Sequence, residues 1–136
     1  MLKGLNHIGI AVDSLEESIT ALCKSLGMKH VATEDVPDQK VRVAALEGGG
    51  PVIELVEQTS SDSPISRFLE KRGPGIHHIA YQVADLEEAL RSLKGSGVRL
   101  IDEVPRAGAF GKRIAFIHPS ATGGILIELC DEGEAH

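Results

Sequence analysis

The amino-acid sequence predicts an α+β fold made of two βαβββ modules in tandem, on three observations. First, "HIGIAVDSLEESITALCKS" (7–25) aligns with "HIAYQVADLEEALRSLKGS" (78–96) at a constant offset of 71, with eight of nineteen positions identical. Repeats of this kind decide the architecture before any single element does. Second, "GGPVIEL" (49–55) matches "GGILIEL" (123–129) at an offset of 74, the change being what a loop insertion produces. Third, each copy passes from a strand-like run to a helical apolar stripe and then to three more strand-like runs.

The elements follow in the same order in both copies. A first strand is predicted over 5–12 and again over 76–83, the second entered through the turn signal "GPG". A helix starts where Ser14 and Glu17, or Asp85 and Glu88, stand at capping-box spacing. Leu15, Ile19 and Leu22, or Leu86, Leu90 and Leu93, make its one apolar face. The helices stop at "SLGM" and "GSGV", where glycine takes the left-handed cap conformation. Three strands are then expected over 28–34, 40–47 and 51–57, and over 98–103, 112–118 and 124–130. Between the copies, "SDSPISRFLEKRG" predicts a linker helix over about 62–72, capped by Asp62 or Ser63 with Pro64 in the first turn, ending at Gly73. Module one is thus about 1–60 and module two about 75–131, and "DEGEAH" (131–136) reads as a frayed tail.

With 136 residues the chain has room for one ordinary domain. A formal charge of −6, 3% aromatics and no Trp leave neither a basic stripe nor a stacking platform, which argues against nucleic acid. No apolar run approaches the length of a membrane span, and no signal-peptide pattern opens the chain. Cys23 and Cys130 form no C-x-x-C motif and read as small buried residues. A reducing cytoplasm is the expected compartment.

"RGPGIHHIAYQV" (72–83) sets two histidines side by side on a strand, where successive side chains point to opposite faces. Only His78 has a counterpart in the other copy, His7, so His77 is expected to pack on the opposite face. The repeat also duplicates Glu54 and Glu128 inside the apolar runs "PVIELV" and "GILIELC". A buried carboxylate is costly unless it is paired, protonated or bound to a metal. If the modules pack about a pseudo-twofold axis, both His–Glu pairs can converge on one point. Two imidazoles and two carboxylates suit divalent zinc, cobalt, nickel, manganese or iron and balance its charge. Unlike a closed thiolate site, this set leaves positions open for water or substrate.

The duplicated unit with its His–Glu–His–Glu quartet resembles the vicinal oxygen chelate superfamily (glyoxalase, bleomycin resistance, dioxygenase) over essentially the whole chain. Within it, "NHIGIAV", "DSPISRFLEKRGPGIHHIAYQV" and "GKRIAFIHPSATGGILIEL" are similar to the methylmalonyl-CoA epimerase family. The resemblance implies a single domain, 1–136, whose curved eight-stranded mixed sheet surrounds a metal-binding cleft. It implies an acyl-CoA substrate, (2R)- and (2S)-methylmalonyl-CoA being interconverted by α-proton abstraction through a metal-stabilised enolate. One divalent ion (Co, Mn, Ni or Zn) would be held by His7, Glu54, His78 and Glu128, the residues the repeat picks out, and a homodimer is expected. The proton must leave one face and return on the other, which assigns Glu128 as one carrier, loosening from the metal to act, and Glu54 as the other.

The sequence departs from the family pattern in three places. Some relatives carry a glutamate base on the third strand of module one, where Val43 stands here; Glu47, four residues on, reads as a surface charge. "ALCKSLG" replaces a Phe-Tyr helix, a packing change. "HPS" replaces "HPK", so Ser120 stands for lysine and substrate binding falls to Arg113, Ser120 and Thr122, with Lys112 and amides near Gly123 beside them. Gly-rich "RAGAFGKR" (106–113) reads as a loop over the cleft. A glyoxalase I-type lyase acting on a glutathione hemithioacetal is the nearest alternative. A dioxygenase would leave Glu54 superfluous, and a metal-free small-molecule-binding protein of the same fold would have no need of four preserved ligands.

Overall fold

A computed structural model describes residues 1–133 of the chain. Eight strands and three helices follow one another as β1 (Leu2–Ala11), α1 (Leu15–Leu26), β2 (Lys29–Val36), β3 (Val41–Glu47), β4 (Val52–Gln58), α2 (Ser66–Arg72), β5 (Gly75–Val83), α3 (Leu86–Gly95), β6 (Arg106–Ala107), β7 (Arg113–Ile117) and β8 (Ile127–Asp131). The strands are hydrogen-bonded in the order β2-β3-β4-β1-β5-β8-β7-β6, a mixed eight-stranded sheet, so the α+β class and the twofold βαβββ order hold. By contacts the chain divides into two compact units, His7–His77 and Met1–Asn6 with the chain from His78 onward. Strand β1 therefore belongs to both, its first half to one and its second half to the other. Among the described residues no helix is long and apolar enough to cross a membrane.

In the unit His7–His77, β4 lies parallel to β1 and antiparallel to β3, which pairs with β2. Helix α1 begins as its sequence requires: the Ser14 hydroxyl accepts a hydrogen bond from the Glu17 amide at 3.2 Å. It ends at Gly27, whose φ of 67° is the left-handed cap. Its stripe, Leu15, Ile19 and Leu22, packs on Val12, Ala44, Leu46 and Leu55, with Ile10 and Ile53 beside them. Strand alternation then turns the other parity, His7 on β1, Val43 on β3 and Glu54 on β4, to the face away from α1.

The second unit repeats the plan. Strand β8 lies parallel to β5 and antiparallel to β7, which pairs with the short β6. The Asp85 carboxylate accepts from the Glu88 amide at 3.1 Å and opens α3. Leu86, Leu90 and Leu93 pack on Val83, Ala115, Ile117 and Leu129. Residues of opposite parity, His78, Phe116, Glu128 and Cys130, face away from α3. Cys130 is fully buried as expected, whereas Cys23 is only half-buried.

Four expectations need correction. The strand predicted over 98–103 is no ladder: Leu100 makes a single bridge to Ile117, and regular pairing comes only at Arg106–Ala107. The Asp102 carboxylate takes the Phe116 amide at 2.8 Å and Pro105 lacks an amide to give, so the ladder does not run through this segment. Strand β8 starts at Ile127, not 124, because Gly123 and Gly124 adopt φ of 72° and 90° in a turn closed by the Gly124 amide on Pro119 O at 2.8 Å. The linker helix starts at Ser66 with no side-chain cap. Asp62 is engaged by Lys40 and Ser60 instead. The Ser63 hydroxyl donates to Gln39 O and accepts the amide of Ile65 at 3.5 Å, one residue before the helix, rather than an amide of the helix itself. Finally, Asp131 does not fray. It ends β8 and is buried; the last three residues of the predicted tail, 134–136, lie outside the described residues.

Candidate metal centre

Parallel pairing places a histidine and a glutamate side by side in each unit, by the same rule. Gly9 of β1 stands opposite Glu54 of β4, and His7 lies two residues before Gly9. Ala80 of β5 stands opposite Glu128 of β8, and His78 lies two residues before Ala80. His7 Nδ1 is 3.3 Å from Glu54 Oε2, and His78 Nε2 is 3.7 Å from Glu128 Oε1. All four residues are buried, with relative exposures of 1%, 5%, 7% and 4% in the order His7, Glu54, His78, Glu128. Carboxylates this deep are not held by solvent.

The separations test whether these donors suit a cation. Charge-assisted hydrogen bonds run at about 2.7–2.9 Å, shorter than either contact. Adjacent ligands on a shell of roughly 2.1 Å radius stand about 3.0–3.4 Å apart, which 3.3 Å matches and 3.7 Å approaches. Imidazole nitrogen and carboxylate oxygen are also the donor types that zinc, cobalt, nickel and manganese accept. Each unit thus brings one imidazole nitrogen and one carboxylate oxygen to a ligand-like separation.

Neighbouring side chains sharpen the site. The His78 ring meets Phe116 edge-on at 5.6 Å between centroids, an apolar wall on its own face. His77 points to the other side and meets Phe68 edge-on at 5.2 Å. Burial pushes the His77 imidazole below its ordinary value, in keeping with a packing residue. Val43 is buried in β3, so no carboxylate stands at that position, and Glu47 is exposed at the strand's end.

The residues expected to bind substrate lie at separate places in the second unit. Ser120 is exposed in the turn after β7, its hydroxyl 2.8 Å from His118 Nδ1. The Thr122 hydroxyl donates to Ile125 O at 2.5 Å. Lys112 lies with its ammonium 3.5 Å from Asn6 Oδ1 and 5.7 Å from the Phe110 ring centre, inside the Gly-rich loop. Arg113 shares the parity of Ala115 and Ile117, hence the α3 side. Its guanidinium donates to Asp131 Oδ1 and Oδ2 at 3.0 and 2.7 Å and to Glu87 Oε1 at 2.6 Å. Those carboxylates hold it well above its usual value.

Asp131 is the residue the sequence reading misplaced. Besides Arg113, it accepts the Leu86 amide at 2.9 Å and the Gly133 amide at 3.0 Å. A signal was there: the offset of 74 that pairs Glu54 with Glu128 also pairs Glu57 with Asp131, both acidic.

With this geometry in view, comparison with known proteins is decisive. The family pattern described as Glyoxalase/Bleomycin resistance protein/Dioxygenase superfamily matches residues 6–116. An ethylmalonyl-CoA/methylmalonyl-CoA epimerase of Cereibacter sphaeroides is 40% identical over 131 residues, covering 95% of this chain and 98% of the relative. The chain belongs to the methylmalonyl-CoA epimerase family. Among solved structures, the methylmalonyl-CoA epimerase of Mycobacterium tuberculosis superposes with a TM-score of 0.93 at 42% identity, over 98% of this chain and 90% of that one. A methylmalonyl-CoA epimerase in complex with methylmalonyl-CoA and NH4+ superposes at 0.92 with 34% identity, over 98% and 96%. Epimerases of this family are isomerases.

Proposed function

We propose that the chain interconverts (2R)- and (2S)-methylmalonyl-CoA, and that His7, Glu54, His78 and Glu128 together hold one divalent ion for that reaction. The observation behind this reading is the repeated register, a buried histidine two residues before the partner of a buried glutamate, in a chain of the epimerase family. When bound, the ion supplies fixed positive charge where the enolate develops.

The protein's own groups move the proton. The hydrogen at C2, between thioester and carboxylate, leaves to Glu128, whose Oε1 faces His78 and whose Oε2 we assign to the proton. Were an ion held there, its charge would lower the basicity of a bound carboxylate, so Glu128 would serve as the base when loosened from it. Glu54, from the matching position of the other module, returns a proton on the opposite face. No oxidant or second substrate is needed, since one C–H bond breaks and one forms. Ser120 and Thr122, with Lys112 and the amides near Gly123, are proposed to bind the substrate's anionic groups; Arg113 joins them by exchanging its carboxylate partners. Phe116 and Val43 keep their faces apolar, which strengthens electrostatics at the reacting carbon. Cobalt, manganese, nickel and zinc all suit the donor set, and we propose a cytoplasmic homodimer as the working form.

Proton NMR of methylmalonyl-CoA in deuterated water tests the reading. Metal-restored protein should erase the C2 proton signal and collapse the methyl doublet, and metal-stripped protein should not. Inertness toward methylmalonyl-CoA with turnover of the methylglyoxal–glutathione hemithioacetal would replace it with the lyase reading.

A further inference from the structure

The strand ends beyond the two glutamates carry a second duplicated device. Three residues after Glu128, Asp131 accepts the amide of Leu86, the first residue of α3, at 2.9 Å. Three residues after Glu54, Glu57 Oε2 accepts the amide of Leu15, the first residue of α1, at 3.3 Å. Arg113 stands opposite Asp131 in the β7–β8 ladder, and Arg42 stands opposite Glu57 in the β3–β4 ladder. Each module therefore has a carboxylate at the end of its last strand that latches the N-terminus of its own helix, beside an arginine from the preceding strand.

We infer that Asp131 is a positioning residue for the proposed metal centre: it latches β8 to the first turn of α3 and thereby fixes how Glu128 is presented. The inference rests on the metal reading given above. Its mechanics are those of a sheet in which a one-residue slip sends every side chain to the other face. Leu129 and Asp131 lie on the α3 side, Leu129 in the α3 core and Asp131 on the helix amide. Holding both there turns Glu128 to the opposite face, beside His78.

The two latches are unequal. Asp131 is buried and receives two Arg113 donors, Leu86 and Gly133. The Arg113 hydrogen bonds, ahead of the backbone donors, hold its carboxyl below the usual range. Glu57 is half-buried with a longer contact to Leu15, and Arg42 gives its Nε to Asp35 at 2.7 Å. Module two thus presents its glutamate from a tightly tied strand and module one from a looser one.

Cobalt(II) titration without substrate, read by visible absorption well below the melting temperature, tests this. Outer groups that orient ligands change metal affinity by about 10–100-fold. D131N is expected to weaken Co(II) binding at least about tenfold and to change the band shape, with E57Q producing a smaller loss. R113K, which keeps the charge but loses the fork that grips both Asp131 oxygens, is expected to fall between wild type and D131N, and serves if D131N does not fold. A Co(II) affinity and spectrum unchanged in folded D131N and in R113K would overturn the inference while leaving the metal reading standing. Failure of the wild-type protein to bind Co(II) would overturn both.

Discussion

His78 Nε2 and Glu128 Oε1 face one another at 3.7 Å on neighbouring parallel strands, too far for a strong hydrogen bond and near the spacing of two ligands around one ion. Removing the carboxylate's proton-accepting capacity while keeping its shape separates catalysis from folding. Glu128→Gln is expected to keep the fold and to lose solvent-deuterium entry at C2 by at least about a hundredfold, the lower range for a general base. Mass spectrometry of recovered methylmalonyl-CoA checks this. Undiminished deuterium entry would remove Glu128 from the proton path.

The two helix caps offer a test of the duplicated architecture. Ser14 and Asp85 each accept from an amide three residues on. Ser14→Ala and Asp85→Ala should each cost about 1 kcal/mol. Lying in separate modules, they should add in the double variant to within about 0.5 kcal/mol. Urea unfolding of the single and double variants reads both numbers.

Asp131 makes stability depend on pH in a definite direction. Its folded carboxyl is held below the ordinary value of 3.8, first by Arg113. The stabilisation is therefore complete above the unfolded value and is lost as pH falls through the folded one. Asp131→Asn should be less stable than wild type by about 1–3 kcal/mol at pH 7, the cost of leaving its donors poorly satisfied. The gap should narrow as pH drops below 3.8. Thermal melts across pH 2–7 (roughly the window set by that titration) measure it.

Gly108 precedes the Ala-Phe-Gly turn of the Gly-rich loop for a steric reason. A Cβ there would stand 2.6 Å from Ile114 Cγ2, and Ile114 is a buried core residue. Gly108→Ala should cost about 1–3 kcal/mol as an overpacked core does. Gly50→Ala, where a Cβ meets nothing within 4 Å, should cost far less. Paired denaturation curves decide between this and a purely flexible loop.

What the sequence made legible was what is local or duplicated. Ser14 and Asp85 were readable as caps because three-residue spacing suffices for that bond. Glu54 and Glu128 stood out only because the repeat showed them twice; either alone is an ordinary strand glutamate. The strand at 98–103 failed because the Asp102 side chain takes the Phe116 amide, a contact fourteen residues away that no local pattern announces. Asp131 was misread for the same kind of reason. In sequence it opens a polar terminal run, and only Arg113 and the α3 amide make it a buried anchor. Arg113 reads in sequence as a cationic substrate contact; that it also grips Asp131 and Glu87, residues 18 and 26 positions away, is a tertiary fact no local pattern carries.

Metal stoichiometry tests the central claim, that the His–Glu pairs of the two modules serve a single divalent ion. Protein equilibrated with Co(II) or Mn(II), dialysed and assayed by plasma mass spectrometry should hold one ion per chain. Both His7→Ala and His78→Ala should lose that one ion. Two ions per chain, or a full complement retained after either substitution, would contradict it.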